Sequence, residues 1–540
     1  MSELISLGRF AARRAGSVVL VLAGLGAVSA GVNAGLIATV HRALSAEAEA
    51  RRGLAWAFVG LALGRVLVAL LAGMLMHRHA QRAIAALRQQ LVASLLSTPY
   101  RELQRVGPAR VLAALTQDVS TLGAALQALP GAVVQAAVLL GAVGYLLWLG
   151  PGAAVVLLLV ALPGLGLYRV MARRAVERLE QHRRDLDALH RHFRTLTEGA
   201  RELRMHAGRR EAFLREAVVP TTEAMLRSEL SAQDRYLLGQ SANGLLVLVM
   251  IGVALFALPE GMGVREEALS GYVLTGLYLV APLSGLLRLL PLIGVTRIAL
   301  RRIASLGVRL AAPDASAPTV IPTPPAMGKI RLSDVTMGYG EGGGGFRLGP
   351  VSLSLRPGEV VFVTGENGSG KTTLGSLLCG LYAPDAGEVS VGGRPVDDAG
   401  REGYRQLWSA VFAGAHVFER FHGMSDAAHT DRARELLERL GLSGLVDVAD
   451  GQLDRVELSS GQRKRLALLM ALLEDRPACL FDEWAAEQDA ELRRRFYREL
   501  IPELAARGKA IVVITHDERY FDAADRVLHM RDGRIEPVRQ

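Results

Sequence analysis

Six apolar runs of about twenty residues fill the first 300 positions and constrain the fold more than any other feature. Crossing about 30 Å of hydrocarbon at 1.5 Å per residue takes about twenty residues of helix. The runs lie at about 16–40, 53–76, 126–149, 151–173, 236–258 and 269–293. Only Gly150-Pro151 separates the third from the fourth, which predicts a tight hairpin. The first run passes Ala27-Val28-Ser29-Ala30, which resembles a signal-peptide cleavage site. It continues to about Val40, too long for a signal segment, so a retained first helix is expected.

Positive residues mark the cytoplasmic ends of such spans. Arg9, Arg13 and Arg14 precede the first, Arg78 and Arg82 follow the second, and Arg169, Arg173 and Arg174 close the fourth. Arg297, Arg301 and Arg302 follow the sixth. Trp56 and Trp148 then fall near the outer interface, and Glu260, Glu266 and Glu267 in an outer loop. The first outer loop runs the other way, with Arg42, Arg51 and Arg52 against Glu47 and Glu49. The sum predicts a multi-pass protein with both termini cytoplasmic. The inner segments, about 77–125 and 174–235, are long and charged. The second has only Gly199, Gly208 and Pro220 as breakers, which predicts helices continuing tens of ångströms beyond the bilayer.

The net charge of +9 does not point to nucleic acid. The arginine excess flanks apolar runs, and aromatics at 5% leave little surface for stacking bases. The only cysteines, Cys379 and Cys479, lack metal-ligand spacing and predict reduced thiols without a disulfide.

Residues 1–310 thus form a six-helix membrane domain, and 311–328, rich in Pro, Ala and Thr, a linker. From 329 to 540 strand-like runs such as Val360–Val363 and Ile511–Ile514 alternate with helical segments, which predicts an α/β domain.

Gly365-Glu366-Asn367-Gly368-Ser369-Gly370-Lys371-Thr372 fits the phosphate-loop pattern GxxxxGK[ST] between a strand and a helix. Glycines let backbone N–H groups curl around phosphate at a helix N-terminus. Lys371 is placed to neutralise the β- and γ-phosphates of ATP and Thr372 to bind Mg²⁺, with Thr373 beside them. Ala478-Cys479-Leu480-Phe481-Asp482-Glu483 is an apolar strand ending in two acids. Asp482 suits Mg²⁺, directly or through water, and Glu483 suits polarising the attacking water.

Leu458-Ser459-Ser460-Gly461-Gln462 resembles the LSGGQ signature of the ABC ATPase family, with Ser460 in place of the first glycine. The resemblance implies an α-helical six-span membrane domain followed by an α/β P-loop ATPase domain, working as a homodimer. In that family the signature of one protomer closes over ATP held by the other. It further implies that Tyr339 stacks on adenine, Asp489 faces the partner subunit, and His516 contacts the γ-phosphate. Asp482–Asp489 with Trp484, His516–Phe521, Leu196–Phe213 and Thr98–Leu103 look like the bacterial cyclic-peptide exporter group. That group carries peptide siderophores and their precursors, lipopeptides and peptide antibiotics across the bacterial cytoplasmic membrane. One departure stands out. Where the family has a Gln contacting Mg²⁺ and the membrane-domain helices, this chain has Ala413, then Gly414.

Arg65 lies within the second run, and Arg288 within the sixth between Pro282 and Pro291. A charge at mid-bilayer costs about 2.5–3.5 kcal/mol on insertion scales, so each is expected to face a cargo cavity or a structural partner. Asn33, Gln135, Gln240 and Asn243 are candidates for the same wet surface. The expected function is ATP-driven export of a small peptide-like cargo. The alternatives are a lipid or drug exporter of the same architecture, or a slowly hydrolysing ATP-gated regulatory or assembly protein.

Overall fold

The computed structural model describes residues 24, 26–43, 47–257, 259, 266–287, 289–305, 323–338 and 346–536. Arg9, Arg13, Arg14, most of the predicted linker, Tyr339 and Arg288 lie outside them. The chain forms two compact units. One holds the described residues up to Thr98 and from Val106 to Ser305; the other holds Pro99–Arg105 and the described residues from 323 onward.

The first unit is helical. Helix α1 covers residues 26–43, and α2 runs from Ala48 to Ser97. At 1.5 Å per residue α2 is about 75 Å long, more than twice the hydrocarbon thickness. It stops where Pro99 forces Thr98 out of the helical region, at φ −73° and ψ 134°. The short α3 (Tyr100–Val106) follows. Pro108 opens the next helical stretch after Gly107, whose φ of 80° admits the turn. That stretch continues as α4 (Val119–Leu149). Gly150 and Pro151 then reverse the chain into α5 (Pro151–Glu198), the predicted hairpin. A Cβ on Gly150 would sit 2.5 Å from the Tyr272 hydroxyl, which would have to move aside.

Helices α5 and α6 (Val219–Gly252) lie side by side well past the apolar runs. There Ser228 donates to Asp185 at 3.0 Å, and His192 meets Thr221 at 3.2 Å. The expected breaks differ in detail. The chain breaks at Gly199 and at His206, whereas Gly208 lies inside a short helix and Pro220 in the first turn of α6. The helix is continuous there, because a π-helical turn over Phe213–Val218 runs directly into α6, and that wider turn accommodates a residue that has no N–H. Helices α7 (Glu266–Leu287) and α8 (Leu289–Ser305) complete the unit.

Among the described residues, five helices are long and apolar enough to cross a membrane. The first predicted span begins before residue 24, and its described remainder is helical. Apolar side chains such as Leu140, Leu245 and Phe256 stay exposed on the outside of the unit. In lipid that costs nothing, because the solvent is itself apolar. Trp56 and Trp148 are exposed as well, at 79% and 73%.

The second unit is α/β. An antiparallel sheet has the order β2 (Arg347–Leu355), β1 (Ile330–Gly338), β4 (Ala386–Val391), β5 (Arg394–Pro395). A six-stranded sheet has the order β12 (Arg534–Glu536), β11 (Arg526–Arg531), β3 (Val360–Gly365), β10 (Ala510–Ile514), β9 (Ala478–Asp482), β6 (Trp408–Val411). Its β12 is antiparallel and the others are parallel. A small ribbon joins β7 (Val448–Ala449) to β8 (Gln452–Leu453). Strands β3, β9 and β10 are buried throughout or nearly so, as parallel strands covered on both faces must be. Cys379 and Cys479 are both buried free thiols, and burial pushes both pKa values up, that of Cys479 to about 12. Because β10 lies between β3 and β9, the carboxyl ends of three strands meet at one edge.

Candidate functional site

The phosphate loop leaves β3 at Gly365 and enters α9 (Lys371–Leu378). Gly365, Gly368 and Gly370 have φ of 142°, 82° and 101°, a region L-residues avoid. A Cβ on Gly365 would lie 2.1 Å from the Met530 carbonyl, and one on Gly370 2.6 Å from the Phe346 ring. Lys371 is buried and donates to the Gly365 and Glu366 carbonyls at 2.7 and 2.9 Å, folding the loop around its own ammonium. Glu366, Asn367, Gly368 and Thr372 form the exposed rim, with Thr373 half-buried behind them.

Asp482 closes β9, 1% exposed. Burial pushes its carboxyl up and Glu483 adds to that, while the Thr372 hydroxyl, the Ala413 amide and Lys371 pull the other way. Neither carboxylate oxygen has a partner in hydrogen-bond geometry, and the same holds for the buried Ser369 hydroxyl. Buried polar atoms left so are costly and point to a polar ligand. The donor set fits nucleotide with Mg²⁺: a hydroxyl and a buried carboxylate for a cation that keeps several waters, beside a lysine and an amide cradle for phosphate. Thr372 and Asp482 would hold such a cation, with phosphate and water completing its shell.

Glu483 adopts φ 50° and ψ 32°, a left-handed conformation that costs a non-glycine residue of order 1 kcal/mol. The strain is held from both sides. The Glu483 amide donates to Ile514 at 3.0 Å, and Lys464 donates to the Glu483 carbonyl at 3.0 Å. The twist brings the carboxylate to His516 Nε2 at 3.3 Å. His516 follows β10 and stands exposed, while Thr515 beside it is buried and bonded to Tyr497 at 2.7 Å.

The signature opens α11 (Ser460–Leu473), which follows α10 (Ala427–Arg439). Ser459 and Gln462 cap it reciprocally, each side chain on the other's backbone amide. Ser459 and Ser460 are exposed. A Cβ on Gly461 would approach the Glu487 carbonyl at 2.8 Å. Trp484 explains its own presence. It is 1% exposed, its indole donates to the Lys464 carbonyl at 2.7 Å, and its ring packs on Phe496 with centroids 4.5 Å apart. It therefore ties α11 to the end of β9. Gln488 donates to Gly461, and Arg465 reaches both Gln488 and Asp489. Asp489, also the N-cap of the next helix, is exposed. No hydrogen bond or ion pair among the described residues joins Ser459–Gln462 to residues 365–372.

Ala413 and Gly414 are exposed after β6, and a Cβ on Gly414 meets nothing within 4 Å. Arg65 lines a cavity in the helical unit, and Asn33 is buried beside it in the same polar chain. Gln135 packs on Gly285 instead, and Gln240 is exposed.

One cluster was not assigned a role from the sequence. Within the ATPase unit, α3 is fastened by Arg101, which pairs with Asp385 at 2.7 Å and donates to the Gly338 carbonyl at 2.6 Å. Tyr382 donates to Gln104 at 2.6 Å and packs on Tyr100. The arginine holds Asp385 below the usual carboxylate range. The available signal was Pro99 cutting a long amphipathic extension immediately before a short charged helix.

A helical membrane unit joined to a nucleotide-binding α/β unit with a phosphate loop, a signature helix and a Glu-His pair defines an ATP-driven membrane transporter. Residues 348–486 match the family model for ABC transporters, and residues 17–258 that for the ABC transporter transmembrane region. Over 522 residues the chain is 34% identical to ATP-binding protein SyrD of Pseudomonas syringae pv. syringae, covering 94% of this chain and 92% of that protein. It is 31% identical over 223 residues to the probable syringafactin export ATP-binding/permease protein SyfD of Pseudomonas syringae pv. syringae (strain B728a), covering 38% of this chain and 33% of that one. The solved structure of a bacterial Atm1-family ABC exporter with ATP bound superposes with a TM-score of 0.74 over 97% of this chain and 95% of that chain, at 18% identity. The chain belongs to the ABC transporter family. It is an exporter half-transporter whose ATPase unit couples ATP hydrolysis to transport.

Proposed function

We propose that this half-transporter works as a homodimer in the bacterial cytoplasmic membrane, with both termini cytoplasmic, and exports a cyclic or modified peptide such as a lipopeptide or siderophore precursor. The observation that carries the ATP-site reading is Glu483, held in a left-handed backbone with its carboxylate 3.3 Å from His516. A conformation that costs energy and aims a carboxylate at the edge where three strand ends meet is explained by catalysis better than by packing. Glu483 would orient and deprotonate water, His516 would hold the γ-phosphate side, and Lys371 with the loop amides would cradle the phosphates. Mg²⁺, held by Thr372 and Asp482, would supply charge neutralisation on those phosphates.

The exposed, self-capped signature, unconnected to the phosphate loop of its own protomer, supports completion of each ATP site by a second copy. The similarity to SyrD over nearly the whole chain, and the partial one to a probable syringafactin exporter, support a peptide cargo. Mixing Lys371→Ala chains with Ser459→Arg chains leaves one intact composite site per heterodimer. It should retain more ATP-dependent closure, read by crosslinking, than either mutant homodimer. A purified monomer with full ATPase activity would refute the dimer. For cargo, inside-out vesicles should accumulate an acylated cyclic peptide in an ATP-dependent way. Accumulation of lipid or hydrophobic dye alone would transfer the assignment to the lipid or drug exporter.

A further inference from the structure

Helices α1, α2 and α7 line an open cavity of about 550 Å³ in the membrane unit. Its walls are apolar, among them Ile37, Phe58, Val66 and Leu274, with two exceptions, Arg65 and Tyr278. Arg65 lies nine residues after Trp56, about 14 Å deeper along the helix and so near the bilayer centre. Its guanidinium stands over the Tyr278 ring at 5.5 Å. The Tyr278 hydroxyl donates to Asn33 Oδ1, and the Asn33 amide in turn donates to the Ser29 carbonyl at 2.8 Å. Along this line of groups, Ser29, Asn33 and Tyr278 bond to one another, and the guanidinium has no hydrogen-bond or ion-pair partner among the described residues. No carboxylate among the described residues lies within ion-pair distance of Arg65. The ring orients the guanidinium without neutralising it, because a quadrupole offers attraction but no acceptor for its five N–H donors.

We infer that this cavity is a subsite for the anionic end of an amphipathic cargo, a carboxylate borne on an apolar body. The guanidinium takes the carboxylate, the Asn33–Tyr278 chain fixes where it points, and the apolar walls take the adjoining hydrocarbon. The volume matches the small end of drug-sized pockets, enough for an acyl segment or a few apolar side chains. An arginine kept only for helix packing would be paired or would snorkel to an interface; Arg65 makes no ion pair among the described residues, lies deep along the helix and opens onto this cavity. The inference rests on the peptide-export reading only for the source of the anion, since the subsite chemistry stands without it.

The full chain in nanodiscs of neutral phosphatidylcholine, titrated with fluorescent dodecanoate and with its neutral amide, tests the subsite directly. The carboxylate should bind about tenfold tighter or more than the amide, the scale of one charge-assisted hydrogen-bonded pair. Arg65→Gln should abolish the difference by weakening the carboxylate alone, and Arg65→Lys should keep part of it. Equal binding of the two probes to the unmodified protein overturns the subsite, and does so without any variant that has to fold. An equal loss of both probes in Arg65→Gln, with the amide unaffected in Arg65→Lys, assigns the residue a structural role and also overturns it. The second arm compares an acylated cyclic peptide carrying Asp with the same peptide carrying Asn, read as half-stimulating concentration for ATPase activity. A preference for the Asp form that Arg65→Gln removes places the anion on the cargo. Discrimination between the dodecyl probes without any response to either peptide keeps the anion subsite, refutes the peptide-export reading, and assigns the anion to membrane lipid.

Discussion

Asp482 in the ATPase unit and Arg65 in the membrane unit each carry a charge that makes no ion pair among the described residues, and their surroundings differ sharply. Asp482 ends a strand clamped by parallel neighbours on both sides, within a shell whose turns are set by glycines and by backbone bonds from Lys371 and Lys464. Arg65 projects from a helix into a cavity, held by one ring and one line of hydrogen bonds. The first site is built before its ligand arrives, and an invariable ligand suits such rigidity. The second is shaped mainly by apolar surface, which accepts many shapes and fixes only the position of charge. A transporter needs both: one fuel and an adaptable passenger.

Glu483→Gln breaks the rigid side of this comparison hardest. It preserves shape and removes the proposed base, so ATP should still bind while hydrolysis falls about 10²–10⁴-fold and a closed dimer accumulates. Near-normal turnover in the purified variant would show that Glu483 is strained for another reason. Arg101→Ala attacks the place where the chain leaving α2 is fastened to the ATPase unit. Basal ATPase activity should persist, while stimulation by cargo drops severalfold; an unchanged ratio of stimulated to basal rate would remove α3 from coupling. The pH dependence of this latch has a definite sign. Asp385 has its pKa depressed by Arg101, so its contribution is complete above the ordinary aspartate value of about 3.9 and fades only as pH falls through the depressed one. Hydrogen exchange of α3 should therefore be as protected at pH 5 as at pH 7, once corrected for intrinsic rate.

Asp482→Asn sharpens the contrast by removing the buried charge. Without nucleotide and Mg²⁺ the variant should melt higher, by about 2–4 °C for about 1 kcal/mol in a domain of this size, and should gain less than the parent when both are added. A lower melting temperature in the bare variant would mean that Asp482 is satisfied by the fold itself. The smallest effect is expected at Ala413. The Ala413 amide already faces Asp482, and the space at Gly414 is open. Ala413→Gln should thus be accommodated, raising apparent Mg²⁺ affinity about twofold and strengthening cargo stimulation from a low starting level. Strong stimulation in the unmodified protein would show that coupling already runs by another route, with the α3 latch the obvious candidate.

Much of this molecule is legible from local pattern. An apolar run of about twenty residues is long enough for a spanning helix, Gly150-Pro151 turns the chain, and Gly365–Thr372 leaves a strand and enters a helix, because each depends on residues adjacent in the chain. The sequence by itself therefore determined the apolar helices, the α/β character of the second unit and the strand-to-helix position of Gly365–Thr372. Only the tertiary structure decided the rest. It set Glu483 in a left-handed turn between Ile514 and Lys464, gave Trp484 its place under the signature helix, fastened α3 through Arg101 to Asp385, and put Tyr278 under Arg65. Those partners are separated by between 19 and 284 positions, and no periodicity or spacing encodes them. Their neighbours follow from the order in which strands assemble and helices pack, a property of the whole chain in three dimensions.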